Sequence, residues 1–170
     1  MTYKVVRKQN NSHMCFVCGL ANDAGLHTSF YELENKRLLA IFKGHEIHQS
    51  YPQRMHGGIV SALLDETIGR AILMDNENLW GVTIDMNIRF HKPVPLDQEL
   101  KVVGYITNLR SRTFEGEGYL CDKNNQILAT CKAKYIKQSV DTIVNGEKFV
   151  EEQWIYVEDE EPPLSFDLPQ

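Results

Sequence analysis

The stretch from Gly57 to Met74 constrains the fold most, because it is the one convincing helix in a chain otherwise composed of strand-like runs. Val60, Leu63, Leu64, Ile68, Ala71 and Ile72 recur at spacings of three and four, which places them on a single stripe of an α-helix. Asp75 to Asn78 ends it. The neighbouring runs have other periods. Leu26 to Leu33 and Arg37 to Phe42, separated by Glu34-Asn35, read as strand, turn and strand. Val82, Ile84, Met86, Ile88 and Phe90 alternate with Thr83, Asp85, Asn87 and Arg89, predicting an apolar core face and a polar face. Leu100 to Leu109, Thr113 to Cys121 and Ile127 to Ile136 add three more strands. One helix and several antiparallel strands bury their apolar faces by packing helix on sheet, which is an α+β layout with the helix at its core.

A second face of the same helix carries chemistry. At about 100° per residue, Gly58, Ser61, Ala62, Asp65 and Gly69 fall together opposite the apolar stripe, so a carboxylate stands in a lane of residues with little side chain. Asp is a poor interior helix residue, and two turns from the N-terminus it gains little from the helix dipole. Either Asp65 is a solvated surface group among permissive small residues, or something comes close to it. Glu66, four residues before Arg70, fits an exposed ion pair. Gly57-Gly58 leave the first backbone N–H groups of the helix open to a ligand oxygen, a candidate oxyanion hole.

Composition narrows the rest. A chain of 170 residues with 42% hydrophobic and 24% charged residues is the size and character of one globular domain with its own core. A net charge of −5 argues against sequence-independent nucleic-acid binding, which needs a broad basic surface. No apolar run approaches the length of a membrane span. Met1 to Asn10 has basic residues without an apolar run behind them, so no secretory signal is read and a cytoplasmic location is expected. Cys15 and Cys18 have a spacing that can bind zinc or do redox chemistry. Cys121 and Cys131 do not complete such a site. A turn at Asn124-Asn125 pairs Leu120 with Ala129, and in that register the two cysteines point to opposite faces. Free structural thiols are therefore favoured, and no metal is expected.

His56-Gly57-Gly58 followed by Leu63-Leu64-Asp65-Glu66 resembles the PaaI-like group of hot-dog-fold acyl-CoA thioesterases. Cys15-Phe16-Val17-Cys18-Gly19 with Gly25-Leu26, the loop Gln49-Ser50-Tyr51-Pro52, and Asp85-Met86-Asn87-Ile88-Arg89-Phe90 with Pro93-Val94 resemble that family in the same order, over roughly Cys15 to Lys137. The resemblance implies a hot-dog fold, in which a curved antiparallel sheet wraps one long helix. That domain would span residues 1–137, the Cys-x-x-Cys segment included. Residues 138–170 would form a C-terminal extension, with Phe149 to Val157 docking or pairing locally and an acidic tail loosely ordered from Glu158 onward.

The resemblance also implies a function: hydrolysis of an acyl-CoA thioester to the carboxylic acid and coenzyme A, with no cofactor, since coenzyme A is part of the substrate. By position, Asp65 is the general base or nucleophile and the Gly58 N–H polarises the thioester carbonyl. Thr83 orients water or thioester, and Gln49 is a loop amide near the carbonyl. His56 and Gly57 at the helix start, and Asn87, Arg89, His91 and Lys92 on and beyond the long strand, are candidate substrate-binding residues. Two subunits would share each site, in a homodimer or a homotetramer built from two dimers. The rival readings are a non-catalytic acyl-CoA-binding sensor using the same pocket, and a hydratase or dehydratase of the same fold.

Overall fold

The computed structural model describes residues 1–145 and 148–169. Its centre is helix α1, Gly57–Arg70, which tightens into a 3₁₀ turn over Ala71–Met74. Four long strands lie against it: β5, Leu79–Phe90; β6, Glu99–Leu109; β7, Thr113–Cys121; and β8, Ile127–Ser139. They belong to an eight-stranded antiparallel sheet with β1, Thr2–Lys8; β3, Ser29–Leu33; β4, Leu38–Lys43; and β10, Ser165–Asp167, in the order β10-β1-β3-β4-β6-β7-β8-β5. The short strands β2, Asn11–Ser12, and β9, Trp154–Ile155, form a separate pair. Along the chain, two single-turn helices, α2, Val140–Ile143, and α3, Phe149–Glu152, lie between β8 and β9.

The helix stripe foreseen from periodicity is the core. Val60, Leu63, Leu64, Ile68, Ala71 and Ile72 are buried against Leu38, Ala40, Phe42, Leu100, Val102, Phe114, Leu120 and Ala129. Helix and sheet approach closely enough that a side chain at Gly104 on β6 would come within 2.8 Å of the Thr67 carbonyl. That strand can pass beneath α1 only because it has no Cβ there.

The alternation along β5 hides a change of face. Thr83 pairs with Tyr135 on β8 and Asp85 with Lys134, leaving Ile84 as the extra residue of a bulge. Before the bulge, Gly81 and Thr83 face the helix; after it, Met86, Ile88 and Phe90 do, opposite Ala133, Cys131 and Ala129. The expectation of one unbroken apolar face is thus corrected: Val82 and Ile84 are 40% and 49% exposed. Thr83 separates from Asn87 and Arg89, which stay on the outer face.

The C-terminal segment differs from a loose tail. β10 pairs with β1, and Lys8 forms an ion pair with Asp159. Leu168, 1% exposed, packs on the outer face of the sheet with Leu33, Leu39 and Val103, flanked by Phe166. Alternate residues of β4 face the two cores, Leu38, Ala40 and Phe42 toward the helix and Leu39 and Ile41 toward the C-terminal strand. A continuous apolar run suits a strand covered on both sides.

Candidate functional site

Asp65 sits midway along α1 and looks toward β5 and β8. Thr83 donates its hydroxyl to Asp65 Oδ1 at 2.7 Å, and the Tyr135 phenol donates at 3.1 Å to the same oxygen and to the Asp65 carbonyl. Tyr135 is buried and stacks on Phe114, ring centroids 4.8 Å apart. Burial, reinforced by the neighbouring carboxylate, pushes its phenol well above the ordinary range, so it remains a donor. The lane of small residues is explained here at its C-terminal half, where Gly69 lies against the Tyr135 ring. The Ile84 bulge turns Thr83 inward to meet Asp65.

The N-terminal end of α1 is arranged differently. His56 is the N-cap residue, and its Nδ1 accepts the Gly58 N–H at 2.9 Å. The amide read from sequence as open is therefore occupied by the preceding imidazole, and a ligand oxygen would have to displace that ring. His56 and Gly58 are exposed, whereas Gly57 is half-buried beside Phe90. The loop before the helix is fixed by backbone bonds from His56 N–H to His48 and from Met55 N–H to Val94. Gln49 bridges Met55 through its backbone, but its side chain is exposed and bonds neither Asp65 nor Gly58.

Two grooves flank this end. One, of about 630 Å³, is open and lined by Tyr51, Arg54, Gly57, Val60, Phe90 and Lys92 among others. The second, of about 440 Å³ on the outer face, brings together Asn87, Arg89, His91, Thr130 and Lys132. His91 lines both and meets the Thr130 hydroxyl at 2.9 Å. The candidate residues thus fall into three places: Asp65 and Thr83 between helix and sheet, His56 to Gly58 at the helix start, and Asn87 to Lys92 at the strand end.

Three features escaped the sequence reading. Tyr135 is one; in its run the helix-facing neighbours are Ala129, Cys131 and Ala133, so a lone hydroxyl among small residues was the available signal. The second is Arg70. Its i,i+4 pairing with Glu66 exists, Nε to Oε1 3.5 Å, but the guanidinium is 4% exposed and Glu66 half-buried, so the exposed pair is corrected to one whose arginine lies in the interior. It lies between the Phe30 and Trp154 rings, 4.1 and 4.6 Å from their centroids, and donates to the Asn10 carbonyl. The third is the convergence of Cys15 and Cys18 on Glu66. Burial lifts the Glu66 carboxyl to about 7, partly opposed by Arg70. A hydrogen bond from the Cys15 thiol, assisted by Arg70, holds Cys18 down to about 5, while Cys15 is raised and keeps its proton.

Residues 53–129 match the family model of the thioesterase superfamily, a span that contains the His56-Gly57-Gly58 helix start, Asp65 and Thr83. Over 90 residues, 53% of this chain, the sequence is 30% identical to acyl-coenzyme A thioesterase THEM4 of Mus musculus, of which the match spans 36%. The fold is shared with a crystallised thioesterase superfamily protein, with a TM-score of 0.68 at 22% identity over 74% of this chain and 60% of that one. It is shared likewise with the E. coli PaaI protein of the phenylacetic acid degradation operon, with a TM-score of 0.60 at 15% identity over 67% and 81%. The matched segment is similar to the thioesterase superfamily, and the chain has the hot-dog fold of these solved structures, while spanning well under two thirds of the length of the curated relative it matches.

Proposed function

We propose that the chain hydrolyses an acyl-CoA thioester, with Asp65 as the acting carboxylate. The observation that carries this reading is the state of that group: two hydroxyls fix Oδ1, and among the described residues no donor engages Oδ2. Oδ2 is thereby free to take a proton from water as it attacks the thioester carbonyl, or to attack that carbon itself. The developing oxyanion would take the Gly58 N–H from His56, and collapse would expel the coenzyme A thiolate. The superfamily match and the mouse relative's name support the reaction class.

Gly58 and Asp65 are seven residues apart, about 10 Å along a helix axis. One chain therefore separates the two groups by far more than a carbonyl and its attacking water. Sharing between two copies removes the difficulty. β5 is a terminal strand of the sheet, 12 residues long, and carries exposed Val82, Ile84 and Phe90. A long apolar edge of this kind suits pairing with a second copy. Arg89, His91 and Lys92 at its end supply cations for the coenzyme A phosphates.

The test is thiol release from short, long and aromatic acyl-CoAs by the wild type and Asp65→Ala. Turnover lost in the variant, with the fold and oligomer retained, is the expected result. Equal turnover in the variant removes Asp65 from the chemistry, and binding without turnover by the wild type favours an acyl-CoA sensor.

A further inference from the structure

The loop before β3 converges on α1 at a second carboxylate, one residue beyond Asp65. Sγ of Cys15 and Sγ of Cys18 lie 4.0 and 3.9 Å from Glu66 Oε1, and the three donor atoms are all within 4.8 Å of one another. We propose that Cys15, Cys18 and Glu66 bind one zinc ion, with a solvent molecule as fourth ligand, as a clip that fastens residues 12–28 to the catalytic helix.

The geometry favours a shared ion over inert core thiols. Tetrahedral zinc with sulfur at about 2.3 Å and carboxylate oxygen at about 2.0 Å needs a sulfur–oxygen separation of roughly 3.5 Å, so closing the site moves Glu66 by about half an ångström. Both sulfurs already accept backbone N–H groups, Val17 to Cys15 at 3.3 Å and Ser12 to Cys18 at 3.4 Å. Such donors orient and stabilise ligating thiolates from outside the coordination shell. Between the ligands the chain turns tightly, with Gly19 N–H on the Cys15 carbonyl at 2.7 Å, and a side chain at Gly19 would run into that carbonyl. Cys15 is only partly buried, leaving a side open for solvent.

Charge and mechanical need agree. Two thiolates, one carboxylate and Zn²⁺ leave one negative charge, and Arg70 stands beside Glu66 as its counter-ion. Its Nε and Nη1 are buried without a hydrogen-bond partner. The loop from His13 to Thr28 has no strand or helix of its own. It is held by scattered backbone bonds such as Leu26 N–H to Phe16 and Thr28 N–H to Val17, both 3.0 Å. Binding free energy at such a site becomes folding free energy for the segment it closes.

The purified full chain, kept reduced with a non-chelating phosphine, is titrated with Co²⁺ and then Zn²⁺. One equivalent of cobalt per chain is expected, with a thiolate-to-cobalt charge-transfer band that zinc abolishes. Cys18→Ser removes the band, Glu66→Gln weakens cobalt affinity at least tenfold, and Cys131→Ser changes neither. A strong chelator should lower the wild-type thermal midpoint. Failure of the folded, fully reduced wild type to bind an equivalent of either metal overturns the proposal, as does a band unaffected by Cys18→Ser or an affinity unaffected by Glu66→Gln.

Discussion

Replacing Tyr135 by Phe removes one oxygen atom and tests whether its hydroxyl positions the Asp65 carboxylate. The ring stays, so the stack on Phe114 and the contact with Gly69 persist and little cavity is created. What disappears is the 3.1 Å donation to Oδ1, and to the Asp65 carbonyl. A hydrogen bond to a charged group contributes about 1.5–3 kcal/mol, and water can partly replace the donor because Asp65 is half-exposed. The lower end, about 1.5 kcal/mol, applied to the barrier corresponds to roughly a tenfold fall in kcat. On the proposed mechanism Tyr135 acts through Asp65 alone, so KM for acyl-CoA should stay within about twofold. Thr83→Val should behave alike. The double variant should lose less than the product of the two, because both hydroxyls serve the same oxygen. Thiol-release kinetics beside urea unfolding separates the readouts. A Tyr135→Phe enzyme with unchanged kcat but lowered stability would refute a positioning role and leave the phenol a packing group.

Glu66 makes stability depend on pH. Its folded carboxyl titrates at about 7 against 4.5 ordinarily, so between these values the folded state holds a proton that the unfolded state has released. Its stabilising contribution is complete below about 4.5 and is lost as pH rises through about 7. Cys18, held down to about 5, contributes the opposite slope, so the Glu66 contribution is read as a difference: urea midpoints of chelator-treated wild type should lose ground relative to Glu66→Gln as pH rises from 5 to 8, and parallel curves would contradict the assignment. Leu168→Ala should cost about 2–4 kcal/mol, the range for emptying a buried leucine site, because Leu168 is 1% exposed. Unchanged thermal unfolding would mean that β10 does not close the outer core.

What could be read from the sequence was local and periodic. The helix stripe, its start at Gly57, and the pairing of Leu120 with Ala129 follow from spacing and turn chemistry, and the structure has each; the tight two-residue turn does not hold beyond that pair, because a bulge between Leu120 and Cys121 sets Cys121 opposite Ile127 in place of Leu128. β1 and β10 were unreadable for a physical reason: they pair Thr2 with Asp167 across nearly the whole chain, and a seven-residue basic run carries no sign of a partner that distant. The β5 bulge was hidden because Val82 and Ile84 continue the alternation while the backbone changes face between them. Spacing paired Glu66 with Arg70 but could not show that Phe30 and Trp154 would enclose the guanidinium.

Asp65 and Glu66 show how adjacent positions acquire separate chemistry. Successive helical residues diverge by about 100°, so the two carboxylates meet different walls: Asp65 meets hydroxyls of β5 and β8, Glu66 meets the thiols of the 12–28 loop and a buried arginine. Hydroxyl donors hold a carboxylate without neutralising it, which suits a group that must accept a proton or attack carbon. Thiols and burial instead favour a protonated carboxyl, which releases its proton when a cation arrives. Loss of Asp65 should therefore strike turnover with the loop intact. Loss of Glu66 should strike metal affinity and the pH dependence of stability, and reach turnover only through the loop's hold on the helix.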